Sequence, residues 1–158
     1  MTDPPASGPA QPAPPHGPWN HVSWAIFGVL LVEFALGMGL NLYVTLPQSP
    51  TYTQIFVSVP LLSAHIALGF LLLAASAYFV LLARQSGVEG LLWRAILVLV
   101  FVLVALQEGF SFTFTGNAAF SAGMALGFLG AVVVQGSIVF LLRGRTHEGP
   151  AAGRSSTP

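Results

Sequence analysis

The chain has 158 residues, 54% of them hydrophobic and 6% charged, with a formal net charge of zero and no cysteine. Soluble domains carry about 25% charged residues, so this composition excludes an ordinary soluble globular protein, a disordered chain and a disulfide-stapled secreted domain. All five basic residues are arginines and none cluster into a basic patch, which excludes a nucleic-acid partner; the mean hydropathy of +0.79 points to an integral membrane protein whose solvent is the lipid bilayer.

In chain order, the stretch from Met1 to Trp19 holds seven of the twelve prolines among Ala, Gly, Ser and Gln. It has no apolar face to bury and few helix-competent residues, so a disordered cytoplasmic tail leaning toward polyproline II is expected there. It lacks a basic start, and the first hydrophobic run is too distant and too long for a signal peptide. Four apolar runs follow, approximately Trp24–Val44, Leu61–Ala83, Leu92–Phe114 and Phe120–Leu142. Each has the roughly 20 residues that cross a hydrocarbon core of about 30 Å as a helix. A bilayer offers exposed backbone groups no partner, and strand-type alternation is missing, so the runs predict four transmembrane helices. The transmembrane domain is expected over residues 20–143, and the end from Gly144 to Pro158 as a flexible tail.

The arginines give an orientation. Arg84 and Arg94 flank the second loop, and Arg143, Arg145 and Arg154 follow the fourth run, whereas Leu46–Val59 and Thr115–Ala119 carry no Asp, Glu, Lys or Arg. Four spans put both tails and the second loop on one side, which the positive-inside rule makes cytoplasmic. Trp19, Trp24 and Trp93 fall at the same face, where indole favours the interface.

The second and fourth runs contain nearly one phrase. Ser63-Ala64-His65-Ile66-Ala67-Leu68-Gly69-Phe70 and Ser121-Ala122-Gly123-Met124-Ala125-Leu126-Gly127-Phe128 agree at six of eight positions. The first and third runs align at Ala25-Ile26 with Ala95-Ile96, Leu36 with Leu106, Gly39 with Gly109 and Thr45 with Thr115. The expected fold is therefore an all-α membrane protein, a four-transmembrane-helix bundle made of two tandem helix-hairpin repeats.

Polar residues inside such a bundle carry the functional information, because a charge at mid-bilayer is penalised by roughly 2.5–3.5 kcal/mol or more. Glu33 lies about 13 Å from Trp24, near the midplane, and Gln135 lies about 12 Å from Arg143. A Glu33–Gln135 hydrogen bond is expected if the helices face one another, with the carboxyl neutral in the absence of a cationic partner. Asn41, Gln107, Glu108 and His65 fall roughly 21–28 Å from the inner face. Glu33, Gly37 and Asn41 share one stripe of the first helix, which is expected to point inward, and a His65–Glu108 contact is chemically reasonable. Gly37, Gly69 and the Gly123/Gly127 pair would let backbones approach closely. Met38 and Met124 read as gap-filling core residues, and Phe112, Phe114 and Phe120 as packing near the outer boundary.

The sequence holds no HExxH, no CxxC, no glycine-rich phosphate loop and no Ser/His/Asp set, the sole aspartate being Asp3. No metal site and no catalytic residue is expected. His16, His21 and His147 lie in the cytoplasmic tails or at their edge, apart from His65.

The phrase Leu36-Gly37-Met38-Gly39-Leu40-Asn41-Leu42-Tyr43-Val44, a Pro-containing loop and Ala64-His65-Ile66-Ala67-Leu68-Gly69 resemble an uncharacterised family of four-span membrane proteins of high-GC Gram-positive (actinobacterial) bacteria. The resemblance covers the four helices and includes the Thr115-Gly116 turn; the chain departs from it at Gln107-Glu108, where smaller residues stand in that family. More distantly, the layout resembles half of a haem A synthase, with paired helices, a carboxylate in the first and a histidine in the second. That likeness implies haem as cofactor with His65 as axial ligand, but Gly123 stands at the second ligand position. Haem would then need Met124, an open site or His65 of a second subunit.

Three functions follow as expectations. The first is a non-catalytic accessory, assembly or interaction subunit of the cytoplasmic membrane, with a membrane-protein partner or a second copy of itself. The second is a haem- or quinone-binding redox protein using His65. The third is proton or small-solute permeation through Glu33.

Overall fold

The computed structural model describes residues 17–43, 51, 53 and 59–147. Four helices account for nearly all of them: α1 (Pro18–Tyr43), α2 (Pro60–Gln85), α3 (Leu91–Thr115) and α4 (Ala118–His147). All four are long and apolar enough to cross a membrane, and no strand occurs among the described residues. The expectations for Met1–His16, for most of the Leu46–Val59 loop and for residues 148–158 lie outside the described residues. At 25–30 residues, the helices exceed the apolar runs that announce them. Hydropathy marks the part that suits hydrocarbon, whereas backbone hydrogen bonding continues into the interface. Pro18, whose missing N–H costs nothing in a first turn, starts α1 six residues before Trp24. At the other end of the chain, α4 continues through Gly144–His147, which the composition assigned to the tail.

Two short links set the topology. Ser86–Gly90 joins α2 to α3; there the Ser86 hydroxyl donates to the Ala83 carbonyl at 2.8 Å and accepts the Val88 N–H at 3.1 Å. The second link is Gly116-Asn117. Gly116 has φ +63°, a left-handed conformation that closes α3 through its N–H to the Phe112 carbonyl at 2.8 Å. Asn117 then caps α4 by accepting the Ala119 N–H at 3.0 Å. Links this short force antiparallel neighbours.

Each helix packs on the two beside it in the order α1, α2, α3, α4 and back to α1, with no backbone contact across either diagonal. The register is antiparallel within each hairpin: at the α1–α2 seam Gly37 meets His65 while Gly69 meets Glu33, and at the α3–α4 seam Gly109 meets Met124 while Gly130 meets Phe101. Arg84, Arg94 and Arg143 therefore share one end of the bundle. Tyr43, Pro60, Thr115 and Ala118 mark the opposite end.

The core runs along the bundle axis through Ile26, Leu30, Leu72, Phe79, Leu91, Ala95, Val98, Ala131 and Ile138, each at most 2% exposed. Large apolar side chains such as Leu42, Trp93, Leu126, Val133 and Phe140 face outward, as a lipid-facing surface requires. Met38 belongs to that outer surface at 44% exposed, which corrects the expectation of a core methionine. Met124 is half-buried against the core, its sulfur in the notch left by Gly109.

The α3–α4 seam is the tightest, and glycine is the reason. A Cβ at Gly127 would lie 2.9 Å from the Ala105 backbone nitrogen, so the two backbones are in direct contact there. One turn along, Gly130 receives the Phe101 ring.

Candidate functional site

Glu33 projects from α1 into the bundle and is 1% exposed. Its neighbour is the histidine of α2, with Nδ1 of His65 2.9 Å from Glu33 Oε1. The distance is that of an ion pair, while the N–H lacks the alignment of a hydrogen bond, and Glu33 Oε2 has no hydrogen-bond partner among the described residues. His65 therefore pairs with Glu33, not with Glu108 as its height along α2 suggested. Counting rise from Trp24 set Glu33 too near the arginine end, because α1 begins at Pro18; in the bundle His65 stands level with Gly37, only one turn from Glu33.

Two glycines make the pair fit. A Cβ at Gly69 would meet Glu33 Oε1 at 3.4 Å, and one at Gly37 would meet His65 Cε1 at 3.3 Å. Each helix thus offers a bare backbone where the other presents its polar side chain, which lets the pair sit within the seam. The His65 ring also approaches Phe128 of α4, with ring centroids 6.4 Å apart. One turn toward the arginine end, Leu30 and Leu72 are 0% and 1% exposed and close the interior beneath the pair.

Beyond that apolar layer lies a second polar group. Gln135 of α4 donates through Nε2 to the Ser23 carbonyl and to Ser23 Oγ of α1, both at 2.9 Å. Both residues are fully buried. The expected Glu33–Gln135 bond is thereby corrected. Gln135 meets α1 at Ser23, ten residues and so nearly three turns nearer the arginine end than Glu33, which puts the amide out of reach of the carboxyl. Sequence reasoning missed Ser23, and missed Ser76, 1% exposed on α2, whose hydroxyl has no partner among the described residues. The available signal was the i, i+3, i+7, i+10 spacing of Ser23, Ile26, Leu30 and Glu33 along one face of α1.

The other singled-out residues lie elsewhere. Glu108 is half-buried on the α3–α4 seam, where a Cβ at Gly123 would stand 2.9 Å from its Oε2. Gln107 and Asn41 are exposed, so Asn41 leaves the inward stripe that Glu33 and Gly37 begin. Eight residues amount to about 800° of helical rotation, some 80° past a whole number of turns, which carries Asn41 off the seam. Phe114 is exposed, while Phe112 and Phe120 are half-buried. Among the described residues no three of His, Asp and Glu come together as a metal site would require.

The Gln135–Ser23 contact yields a direct prediction. Gln135→Leu should destabilise the bundle by about 0.5–2 kcal/mol, the range for interhelical hydrogen bonds in membranes, as read by equilibrium unfolding in mixed micelles. Ser23→Ala should cost less, because the Ser23 carbonyl still accepts from Gln135.

Compared with known proteins, the chain matches no family model, no curated protein and no solved structure.

Proposed function

We propose that the chain is a non-catalytic multi-pass protein of the cytoplasmic membrane, an accessory or interaction subunit with both tails on the cytoplasmic side. The observation that carries this reading is where the interior polar side chains go. Glu33 and His65 meet on the α1–α2 seam, Gln135 and Ser23 on the α1–α4 seam, and Glu108 fills a notch on the α3–α4 seam. Polar groups distributed one seam at a time specify which helices pair and in what register. They do not converge on one reacting centre, and the fully buried Leu30 and Leu72 interrupt any polar path along the axis. The tandem-hairpin reading is supported by Gly69 and Gly127, equivalent positions of the shared phrase, which both face the preceding helix of their hairpin, Gly69 against Glu33 and Gly127 against Ala105.

Absorption spectroscopy tests the non-catalytic reading. Protein purified from haem-replete membranes should be colourless; a Soret band that disappears in His65→Ala would overturn the proposal in favour of a redox role. Orientation is tested separately, because the chain has no cysteine of its own. A Ser155→Cys variant should react with a membrane-impermeant maleimide only after permeabilisation, and Ser49→Cys should react in intact cells. The reverse pattern would invert the topology.

A further inference from the structure

The Glu33–His65 pair has a property that helix pairing alone does not require: it is sealed toward the arginine end, while its other member keeps some exposure. Toward the arginine end it meets the fully buried Leu30 and Leu72. Toward the opposite end lies His65, whose side chain is 13% exposed against 1% for Glu33. The imidazole thus stands between the buried carboxyl and the bundle's outer end, with its Cε1 and Nε2 edge over the bare backbone of Gly37.

We propose that Glu33 and His65 together form a proton-binding site, loaded and emptied from the Tyr43/Pro60 end of the bundle, whose occupancy sets how firmly α1 is held against α2. With one titratable proton between them the pair has no net charge, whether that proton resides on the ring or on the carboxyl. A further proton leaves a net positive charge in the seam, and removal of the proton leaves a net negative one. Either charge is unfavourable in a low-dielectric interior. Transfer is balanced through the ring: a proton arriving at Nε2 is matched by release of the Nδ1 proton to Glu33 Oε1 after a small ring rotation aligns that N–H, and the reverse sequence empties the site.

Among the described residues, no arginine from any packed element stands beside the pair. On α1 and α2 the facing titratable groups are Glu33 and His65 themselves. From α3 the nearest is Glu108, whose carboxylate is turned into the Gly123 notch of the other hairpin. From α4 the pair meets Phe128, which carries no charge. Arg84, Arg94 and Arg143 lie at the opposite end of the bundle, about 20 Å or more away along the axis. The helix that should respond is α1, whose apolar window buries the smallest share of the four spans.

The test uses the full chain in lipid nanodiscs and in vesicles. Thermal unfolding of the wild type should show an optimum pH, with the midpoint falling by roughly 5 °C or more on either side. The Glu33→Gln/His65→Gln double variant, which holds two neutral groups of similar shape, should lose that optimum. Identical pH profiles for the two proteins would overturn the proposal. Should the double variant not fold, infrared difference spectroscopy of the wild type against Glu33→Gln decides. A carboxyl band that changes with pH and is missing from Glu33→Gln is expected; a wild-type spectrum without that change refutes the site. In vesicles of one protein orientation, the band should follow the pH on the Tyr43/Pro60 side. A response to the arginine side instead would refute the proposed access. These outcomes are independent of the accessory reading, which the absorption spectrum tests.

Discussion

Replacing His65 by alanine should cost the bundle about 3–5 kcal/mol, the largest loss expected from a single polar substitution in this chain. The change removes the imidazole partner of a carboxyl that is 1% exposed and leaves Glu33 beside Gly69 and the buried Leu30 and Leu72 with nothing to pair with. The loss is mostly the penalty of the stranded acid, not the intrinsic strength of the 2.9 Å contact. That distinction has its own signature. Removing both partners, as in Glu33→Leu/His65→Leu, should restore much of the stability, because an apolar pair in the seam carries no desolvation cost. A double-mutant cycle by equilibrium unfolding in mixed micelles reads the coupling directly. A double variant as unstable as the sum of the two single variants would show that the pair is not energetically coupled.

The second large effect is expected where two backbones touch. Gly127→Ala places a methyl 2.9 Å from the Ala105 nitrogen and 3.0 Å from its Cβ. These are main-chain and first-carbon atoms that cannot rotate aside, so α3 and α4 must separate, at a cost of about 1–3 kcal/mol. Gly127→Leu should prevent the native seam from forming. The control is Gly28, on the outward face of α1, where an added Cβ meets nothing within 4 Å. There alanine should be neutral or stabilising by up to about 1 kcal/mol, through its better helix propensity. Parallel thermal unfolding of the two variants checks the contrast; equal destabilisation would mean that helix propensity, not steric contact, governs both positions. Gly123→Ala falls between them, because the flexible Glu108 side chain occupying its notch is able to swing away.

Much of this molecule is legible without coordinates. The four spans follow from run length and hydropathy, because the solvent is lipid and every backbone group must bond within its own helix. The inward importance of Glu33, His65, Gly69 and Gly127 follows from the cost of a charge in hydrocarbon and from the need for small residues where helices approach. The partners do not follow. Glu108 and Gln135 were equally reasonable companions for His65 and Glu33 on chemistry alone, and Ser23 drew no notice because a single hydroxyl is unremarkable in a membrane helix. Asn41 shares the i, i+4, i+8 stripe of Glu33 and Gly37 but leaves the seam near the helix end.

What the amino-acid order determined by itself is which segments enter the membrane and which of their residues are costly there, since both are properties of one helix in contact with its solvent. What the tertiary structure decided is how those costs are met. The choice of Glu33 for His65 and of Ser23 for Gln135 depends on the relative height and rotation of neighbouring helices. Those quantities are set by the depth at which glycines such as Gly37, Gly69 and Gly127 let one backbone approach another. They belong to pairs of helices, so no single span contains them.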